Sequence, residues 1–390
     1  MKQGWEYKKL GDVCDTINGL WTGKKPPFIN INVISLKNFT KDCKLRKDSF
    51  TPIEAEVRHF EKRKLQYGDI IVEKSGGSDT QPVGRPVFFD IIDGNYSFCN
   101  FTSTLRIKEG ISLSPRYLYD ALLWCYKRGD TFKLQSKTTG IHNLDLKGYL
   151  NLRIPLPPLS EQQSIVAELD KINEIIDLKK AQLKDLDLLA QSIFYDMFGD
   201  PIENPKGWEV KKLGEVCKLS QGLAINKQTK HYLSDIPTSI PLLRIKDMKD
   251  GTREIFVKED DCPTSCMAYP DDIIYTRTGT LGLAFTNMYG IMHNNCFKIV
   301  TNEELVKVFF MNYIQGEWFK SNITRLASRS SQPDITHKLF LSQSIIVPPL
   351  SLQQSFAEKI QAIESQKSAI KQSLADAETL LASRMDYYFN

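Results

Sequence analysis

Two stretches of the chain carry a long helical repeat of apolar positions. In the first, alternate steps of four and three residues run through Ile165, Leu169, Ile172, Ile176, Lys179, Leu183, Leu186, Ala190, Ile193 and Met197, and only Lys179 breaks the seam. The second runs through Phe356, Ile360, Ile363, Lys367, Ile370, Leu374, Ala377 and Leu381. A heptad-spaced seam needs a partner helix, and each of these is the matching seam for the other. The pattern therefore predicts two long helices, 160–198 and 351–388, packed as an antiparallel coiled coil. Each follows a Pro-Pro pair, Pro157-Pro158 and Pro348-Pro349, which cannot continue a preceding ladder or helix. Ser160 is the expected N-cap of the first helix, with Gln163 three residues on completing a capping box. At 1.5 Å per residue that helix would be about 57 Å long, enough to hold two globular blocks apart. Gly199-Asp200-Pro201 ends it.

Outside the seams the pattern changes. Short β-branched runs at 33–36, 69–72, 240–245 and 271–275, flanked by Gly, Pro or polar residues, predict strands. A helix is expected after Ser114, with Pro115 in its first turn ahead of Leu118, Ala121, Leu122 and Cys125. A second is expected after Asn302, ahead of Leu305, Val308 and Phe309. The blocks outside the long helices are thus mixed α+β.

This alternation repeats because the sequence does. Gly4-Trp5-Glu6-Tyr7-Lys8-Lys9-Leu10-Gly11-Asp12-Val13-Cys14 recurs as Gly207-Trp208-Glu209-Val210-Lys211-Lys212-Leu213-Gly214-Glu215-Val216-Cys217. Ile34-Ser35-Leu36-Lys37-Asn38 answers to Leu243-Arg244-Ile245-Lys246-Asp247, and Asp69-Ile70-Ile71 to Asp272-Ile273-Ile274. Pro157-Pro158-Leu159-Ser160-Glu161-Gln162-Gln163-Ser164 recurs as Pro348-Pro349-Leu350-Ser351-Leu352-Gln353-Gln354-Ser355. Four anchors in one order, twice, predict two equivalent surfaces in one chain. The boundaries follow: a globular block at 1–155, a helix at 156–200, a second block at 201–347 and a second helix at 348–390.

Composition adds a bias of charge. The 390 residues carry a net charge of +4, unevenly spread. Residues 1–150 hold 24 Lys and Arg against 17 Asp and Glu, and 207–347 hold 17 against 15, whereas 151–206 hold 6 against 10. Basic charge sits in the globular blocks, as a polyanion-binding surface requires. A hydrophobic content of 41% with no run of eighteen apolar residues predicts packed cores and no membrane span, and with no signal-like start the expected location is the cytoplasm.

The residues needed for catalysis are scattered. Gly19-Leu20-Trp21-Thr22-Gly23-Lys24-Lys25 has three residues between its glycines and no Ser or Thr after the lysine, which does not make a phosphate loop. Cys262 and Cys266 lack a second pair for zinc, and the five histidines are isolated. Asp200 with Glu209 and Lys211 loosely suggests a nuclease cluster, but Glu6-Tyr7-Lys8 repeats the pattern with no acid before it. No cofactor is called for and no enzyme activity is expected of the chain alone.

The order of these anchors, a Trp-Glu-x-Lys-Lys-Leu-Gly start, an Asp-Ile-Ile strand leading into a Gly loop, then Pro-Pro-Leu-Ser-x-Gln-Gln and a long helix, resembles the type I restriction-modification specificity subunit. The resemblance implies a subunit with two target-recognition domains that bind double-stranded DNA and read a bipartite, asymmetric site. It also implies that the long helices bind two adenine-methyltransferase subunits, and that the assembly recruits restriction subunits which translocate and cleave DNA. Phosphate contacts favour Lys, Arg and Thr, and base edges favour Arg, Asn and Gln. On that chemistry the candidates in the first half are Lys24, Lys25, Lys74, Ser75, Gln81, Arg85, Lys137, Thr138, Thr139, His142 and Asn143. In the second half they are Lys227, Gln228, Arg277, Thr278, Thr280, Arg329, Ser331 and Gln332. Two alternatives stand beside this one: an interaction scaffold with two peptide-binding domains on a coiled-coil rod, and a nuclease-like enzyme using Glu209 and Lys211.

Overall fold

The computed structural model describes residues 4–78, 80–138, 141–328 and 333–390. It divides into two compact units, residues 1–180 with 372–390, and residues 181–371. Thr139, Arg329, Ser331 and Gln332 lie outside the described residues.

The first unit is organised on a four-stranded antiparallel sheet in the order Cys14–Asn18, Thr102–Ile107, Ile70–Glu73, Pro86–Phe88. Strand Ile70–Glu73 is buried along its whole length, which is why it reads as a continuous apolar run without alternation. A second sheet pairs Phe28–Ile34 with Thr51–Glu56 and, in parallel, with Tyr96–Phe98. Strand Glu6–Lys9 pairs with Arg153–Leu156, so the start of the block is tied to the residues just before Pro157-Pro158.

The second unit repeats this frame. Its four-stranded sheet runs Cys217–Gln221, Cys296–Thr301, Ile273–Thr276, Ala284–Phe285, and Glu209–Lys212 pairs with Ser344–Val347. The expected strand at 240–245 is cut to Leu242–Leu243, and Ile245–Asp250 is helical. The cause is local: the Arg244 guanidinium grips the Asp247 carboxylate at 2.6 and 2.8 Å and turns the chain. The first copy turns at the same place, where Asn38 Oδ1 accepts from Ser35 N–H at 3.0 Å, so that strand stops at Ile34.

Helices Leu159–Phe198 and Leu350–Phe389 are each 40 residues long. In the first unit Ile165, Leu169, Ile172 and Ile176 pack with Leu381, Met385 and Phe389 in the same core as the sheet. Glu168 bonds Arg384 there, and Lys180 pairs with Glu378 at 3.3 Å. In the second unit Phe194 and Phe198 pack with Phe356, Ile360 and Ile363, and Lys367 pairs with Asp187 at 2.8 Å. As numbering rises along one helix it falls along the other, so the pairing within each unit is antiparallel. Leu183, Leu186 and Ile370 are half-buried, as are Ile193 and Leu374. Among the described residues no helix is long and apolar enough to cross a membrane.

Two expected caps are replaced. Ser114 does cap helix Pro115–Arg128, accepting from Tyr117 N–H at 3.5 Å, but Asn302 caps no helix. Its Oδ1 accepts from Glu304 N–H at 3.1 Å in a local turn, and the helix begins at Lys307, after Val306. The acceptor for Val306 N–H is Gln353 Oε1, at 2.8 Å. Likewise the first long helix begins at Leu159, so Ser160 lies inside its first turn, and the Pro158 carbonyl accepts from Glu161 and Gln162.

Candidate nucleic-acid interface

The loops that carry the candidate residues hang from the four-stranded sheet of each unit, and the duplication makes their backbones alike. Strand Cys14–Asn18 runs into Gly19, where a Cβ would lie 2.3 Å from the Cys99 carbonyl oxygen. Strand Cys217–Gln221 runs into Gly222, where it would lie 2.4 Å from that of His293. Only glycine lets the two loops close this tightly. At the next junction Lys74 N–H donates to the Phe101 carbonyl at 2.8 Å, and Arg277 N–H donates to the Asn295 carbonyl at 2.8 Å. One backbone geometry thus presents a lysine in one unit and an arginine in the other.

In the first unit this junction opens into a small sheet. Strand Ser75–Gly77 pairs with Ile141–Leu144, which pairs with Gln135–Thr138, and the register sets Ser75 opposite Asn143 and Lys137 opposite His142. Six of the predicted positions, Lys74, Ser75, Lys137, Thr138, His142 and Asn143, are therefore gathered on three adjacent segments, although more than sixty residues separate them in sequence. His142 is buried, with Nδ1 3.2 Å from Gln135 Oε1. Lys24 and Lys25 sit elsewhere, exposed on the loop into strand Phe28–Ile34, where Lys25 N–H donates to Glu56 Oε2 at 3.2 Å.

Arg85 does not belong to this surface. It is only 5% exposed, and its Nε donates to Glu73 Oε2 at 3.1 Å while Nη1 donates to the Phe39 and Thr40 carbonyls. A buried guanidinium must be paired, and here the partner is a carboxylate twelve residues away. Burial pushes the Glu73 carboxyl up, against the opposing effect of Arg85. Gln81 is half-buried, and with its amide in the orientation that satisfies both ends its oxygen accepts from the Arg85 guanidinium.

In the second unit Arg277 is half-buried and its guanidinium is held in one orientation. Nε donates to Asp334 Oδ1 at 2.8 Å, Nη2 bonds the same carboxylate, and Nη1 donates to Gln221 Oε1 at 3.0 Å. Burial and the Arg277 charge together hold His337 below the usual imidazole range. Thr278 is half-buried, while Thr280 is exposed. Lys227 and Gln228 are exposed on a separate turn, closed by Asn226 Oδ1 accepting from Gln228 N–H at 2.8 Å.

Of the acid–lysine cluster behind the nuclease alternative, Glu209 and Lys211 stay together while Asp200 is taken up by its own turn. Asp200 Oδ1 accepts from the Ile202 and Glu203 backbone, and Lys211 pairs with Glu209 at 3.6 Å and with Glu304. Among the described residues no three His, Cys, Asp or Glu side chains group as a metal would require. Two aromatic residues beside the candidate loops escaped the analysis of residue types: Phe101, 54% exposed, whose carbonyl anchors Lys74 and Ser75, and Trp21, 66% exposed, just before Lys24. Their only sequence signal is an aromatic side chain in a polar, loop-like stretch.

Comparison with known proteins gives a consistent outcome. A family model described as the type I restriction modification DNA specificity domain matches residues 2–187 and 205–378. The chain is 25% identical over 272 residues to the type I restriction enzyme MjaVIII specificity subunit of Methanocaldococcus jannaschii, covering 63% of each protein. It is 22% identical over 410 residues to the type I restriction enzyme EcoKI specificity subunit of Escherichia coli, covering 97% of this chain and 86% of that one. The match spans less than two thirds of the length of the MjaVIII protein and of the MjaIX specificity subunit, 63% and 56%. Among solved structures, the type I restriction-modification S subunit from M. genitalium superposes with a TM-score of 0.56 at 15% identity, covering 100% of this chain and 98% of that one. A chain solved in work on assembly and conformational transition of the type I R-M system gives 0.62 at 20% identity, with the same coverage. These likenesses establish the fold.

Proposed function

Since the chain belongs to the type I restriction-modification DNA specificity family, we propose that it reads an interrupted, asymmetric DNA site, one half-sequence per globular block. In this reading 1–155 and 201–347 are the reading blocks. The helices at 156–200 and 348–390 hold them at a set separation and bind two adenine-methyltransferase subunits, which in turn assemble with restriction subunits. The observation that carries the proposal is the repeated strand-to-loop junction: the same N–H to carbonyl bond of 2.8 Å sets Lys74 in one unit and Arg277 in the other. Equal frames with unequal side chains are what two different half-sequences require.

Roles follow from side-chain chemistry. Lys24, Lys25, Lys74, Lys137 and Lys227 meet phosphates, and Asn143, Gln228 and Arg277 meet base edges, with Ser75, Thr138, Thr280 and Gln81 completing polar contacts. Arg277 reaches the duplex with its orientation already set by Asp334, so less conformational freedom is lost on binding. The first block, with the larger excess of Lys and Arg, contributes more of the salt-dependent affinity. The chain itself supplies recognition; methyl transfer and cleavage reside on its partners.

Fluorescence anisotropy with the full chain and its modification subunits tests this. Affinity for duplex should fall with rising salt, with a log–log slope of about −0.9 per phosphate contacted. Salt-independent or absent duplex binding would favour the peptide scaffold. The isolated chain should leave DNA unchanged in magnesium, ATP and S-adenosylmethionine, and methylation or cleavage by it alone would contradict the assignment.

A further inference from the structure

We propose that Gln162 and Gln353 are positioning residues that fix the direction in which each long helix leaves its globular block, and thereby the spacer between the two half-sequences. The inference rests on the function proposed above. Both side chains are 0% exposed, which is rare for a glutamine. Gln162 Nε2 donates to the carbonyls of Ser112 at 3.1 Å and Pro157 at 2.8 Å, and its Oε1 accepts from Ser114 N–H at 2.8 Å. Gln353 Nε2 donates to the carbonyls of Glu304 at 2.9 Å and Pro348 at 2.8 Å, and its Oε1 accepts from Val306 N–H at 2.8 Å. The two sets of three bonds are the same.

In each unit one amide joins the segment entering the block's helix to the Pro-Pro pair that opens the long helix. A neutral group with two donors and an acceptor on one planar head is needed, and at this length only glutamine has it. Glutamate would keep the acceptor and turn both donations into repulsions. Of the two adjacent glutamines in each repeat, Gln163 and Gln354 are exposed, so the first of each pair alone makes the clamp. The chain leaving the block is also held by the pairing of Arg153–Leu156 with Glu6–Lys9 and of Ser344–Val347 with Glu209–Lys212. The clamp ties the helix start to the segment entering the block's own helix, where in the first unit Arg116 also bonds Asp170 at 2.8 Å and Ile165 and Leu169 pack in the block's core. Its loss therefore loosens the direction of the helix start while the sheets and that packing remain.

The test uses the full chain expressed with its modification subunits in cells without other adenine methylation, read by methylome sequencing. Gln162→Met and Gln162→Glu, and the same changes at Gln353, should keep both half-sequences and gain sites whose spacer differs by one base pair, about 3.4 Å of rise. The buried control Phe60→Leu, in the first block's core and away from the helix, should lower methylation without altering the spacer. A clamp variant that methylates only the wild-type spacer, at any level, overturns the proposal. Two substitutions at each of two sites keep the test open if one variant fails to fold. If the wild type shows no bipartite motif, the functional proposal fails, and hydrogen exchange judges the clamp. In Gln162→Met the amides of 112–116 should then exchange about tenfold faster while 304–308 stay unchanged, and equal rates would refute it.

Discussion

Helix Pro115–Arg128 of the first unit and helix Lys307–Gln315 of the second hold the same place in the duplication, yet they are made from different residues. The first is capped by its own Ser114, and the second has no side-chain cap and begins at a valine. Three residues on, Tyr117 packs against Phe389 at 5.2 Å between ring centres, and Phe309 against Phe198 at 4.8 Å. Three further on, the first helix buries Asp120 and the second places Asn312, whose Nδ2 donates to the Val308 carbonyl at 2.8 Å. What the copies share is the backbone frame and the glutamine that holds it. The side chains inside that frame have diverged, so the two units should respond differently to the same perturbation.

The largest difference is expected at the helix ends. Phe198 is fully buried against Phe194, Phe309 and Phe356, and Phe198→Ala should cost about 3–5 kcal/mol. Phe389, in contact with Tyr117 and Tyr388, should cost less on the same change. Denaturant unfolding of the full chain gives both values, and equal losses would break the contrast between the two aromatic clusters.

Asp120 gives a contrast in pH. It is 2% exposed, its nearest cation is Arg116 at 3.8 Å, and burial raises its carboxyl from the ordinary range to about 7. The folded chain keeps that proton up to near neutrality, while the unfolded chain releases it near pH 4. Its contribution is therefore greatest below pH 4, declines between pH 4 and 7 and levels off above. Asp120→Asn, which copies the second unit, should remove this slope and stabilise the chain at pH 8 by roughly 2–4 kcal/mol. Thermal melts from pH 4 to 8 check it; a variant with the wild-type slope would show that Asp120 is not the group responsible.

Smaller effects separate the proposed DNA contacts. Lys74→Gln should weaken binding to all sequences alike and reduce the salt slope by about 1, whereas Arg277→Gln should cost about 1–3 kcal/mol on the cognate site and relax the second half-sequence. Arg277→Gln also strands Asp334, so its stability must be measured alongside. If the two substitutions had indistinguishable effects on sequence preference, the division into phosphate and base contacts would be wrong.

The long helices were legible because a heptad seam repeats over many turns, and its charged interruption at Lys367 is met by Asp187 and Glu364. The duplication was legible because its anchors are strand ends and turns held by local chemistry. The second block's minor strands were legible only in part: Leu242–Leu243 lies inside the expected 240–245 run, whereas Leu233–Ser234 and Met267–Ala268 are two residues long and carry no period. Asn302 was mistaken for a cap because the group that replaces it lies 47 residues beyond Val306. Arg85 looked like a surface cation because nothing in its neighbourhood shows that Glu73 is buried beside it. The small sheet joining Lys74 to Asn143 was hidden for the same reason. Residue types located its members, and only long-range strand pairing brings them together.

The central claim is that two independently built blocks read two independent half-sequences. Replacing residues 1–150 with the corresponding block of another family member, in cells carrying the modification subunits, and sequencing the methylome tests it most directly. One half-sequence should change while the other half and the spacer stay as they were. A continuous motif, or an exchange that altered both halves together, would contradict the claim.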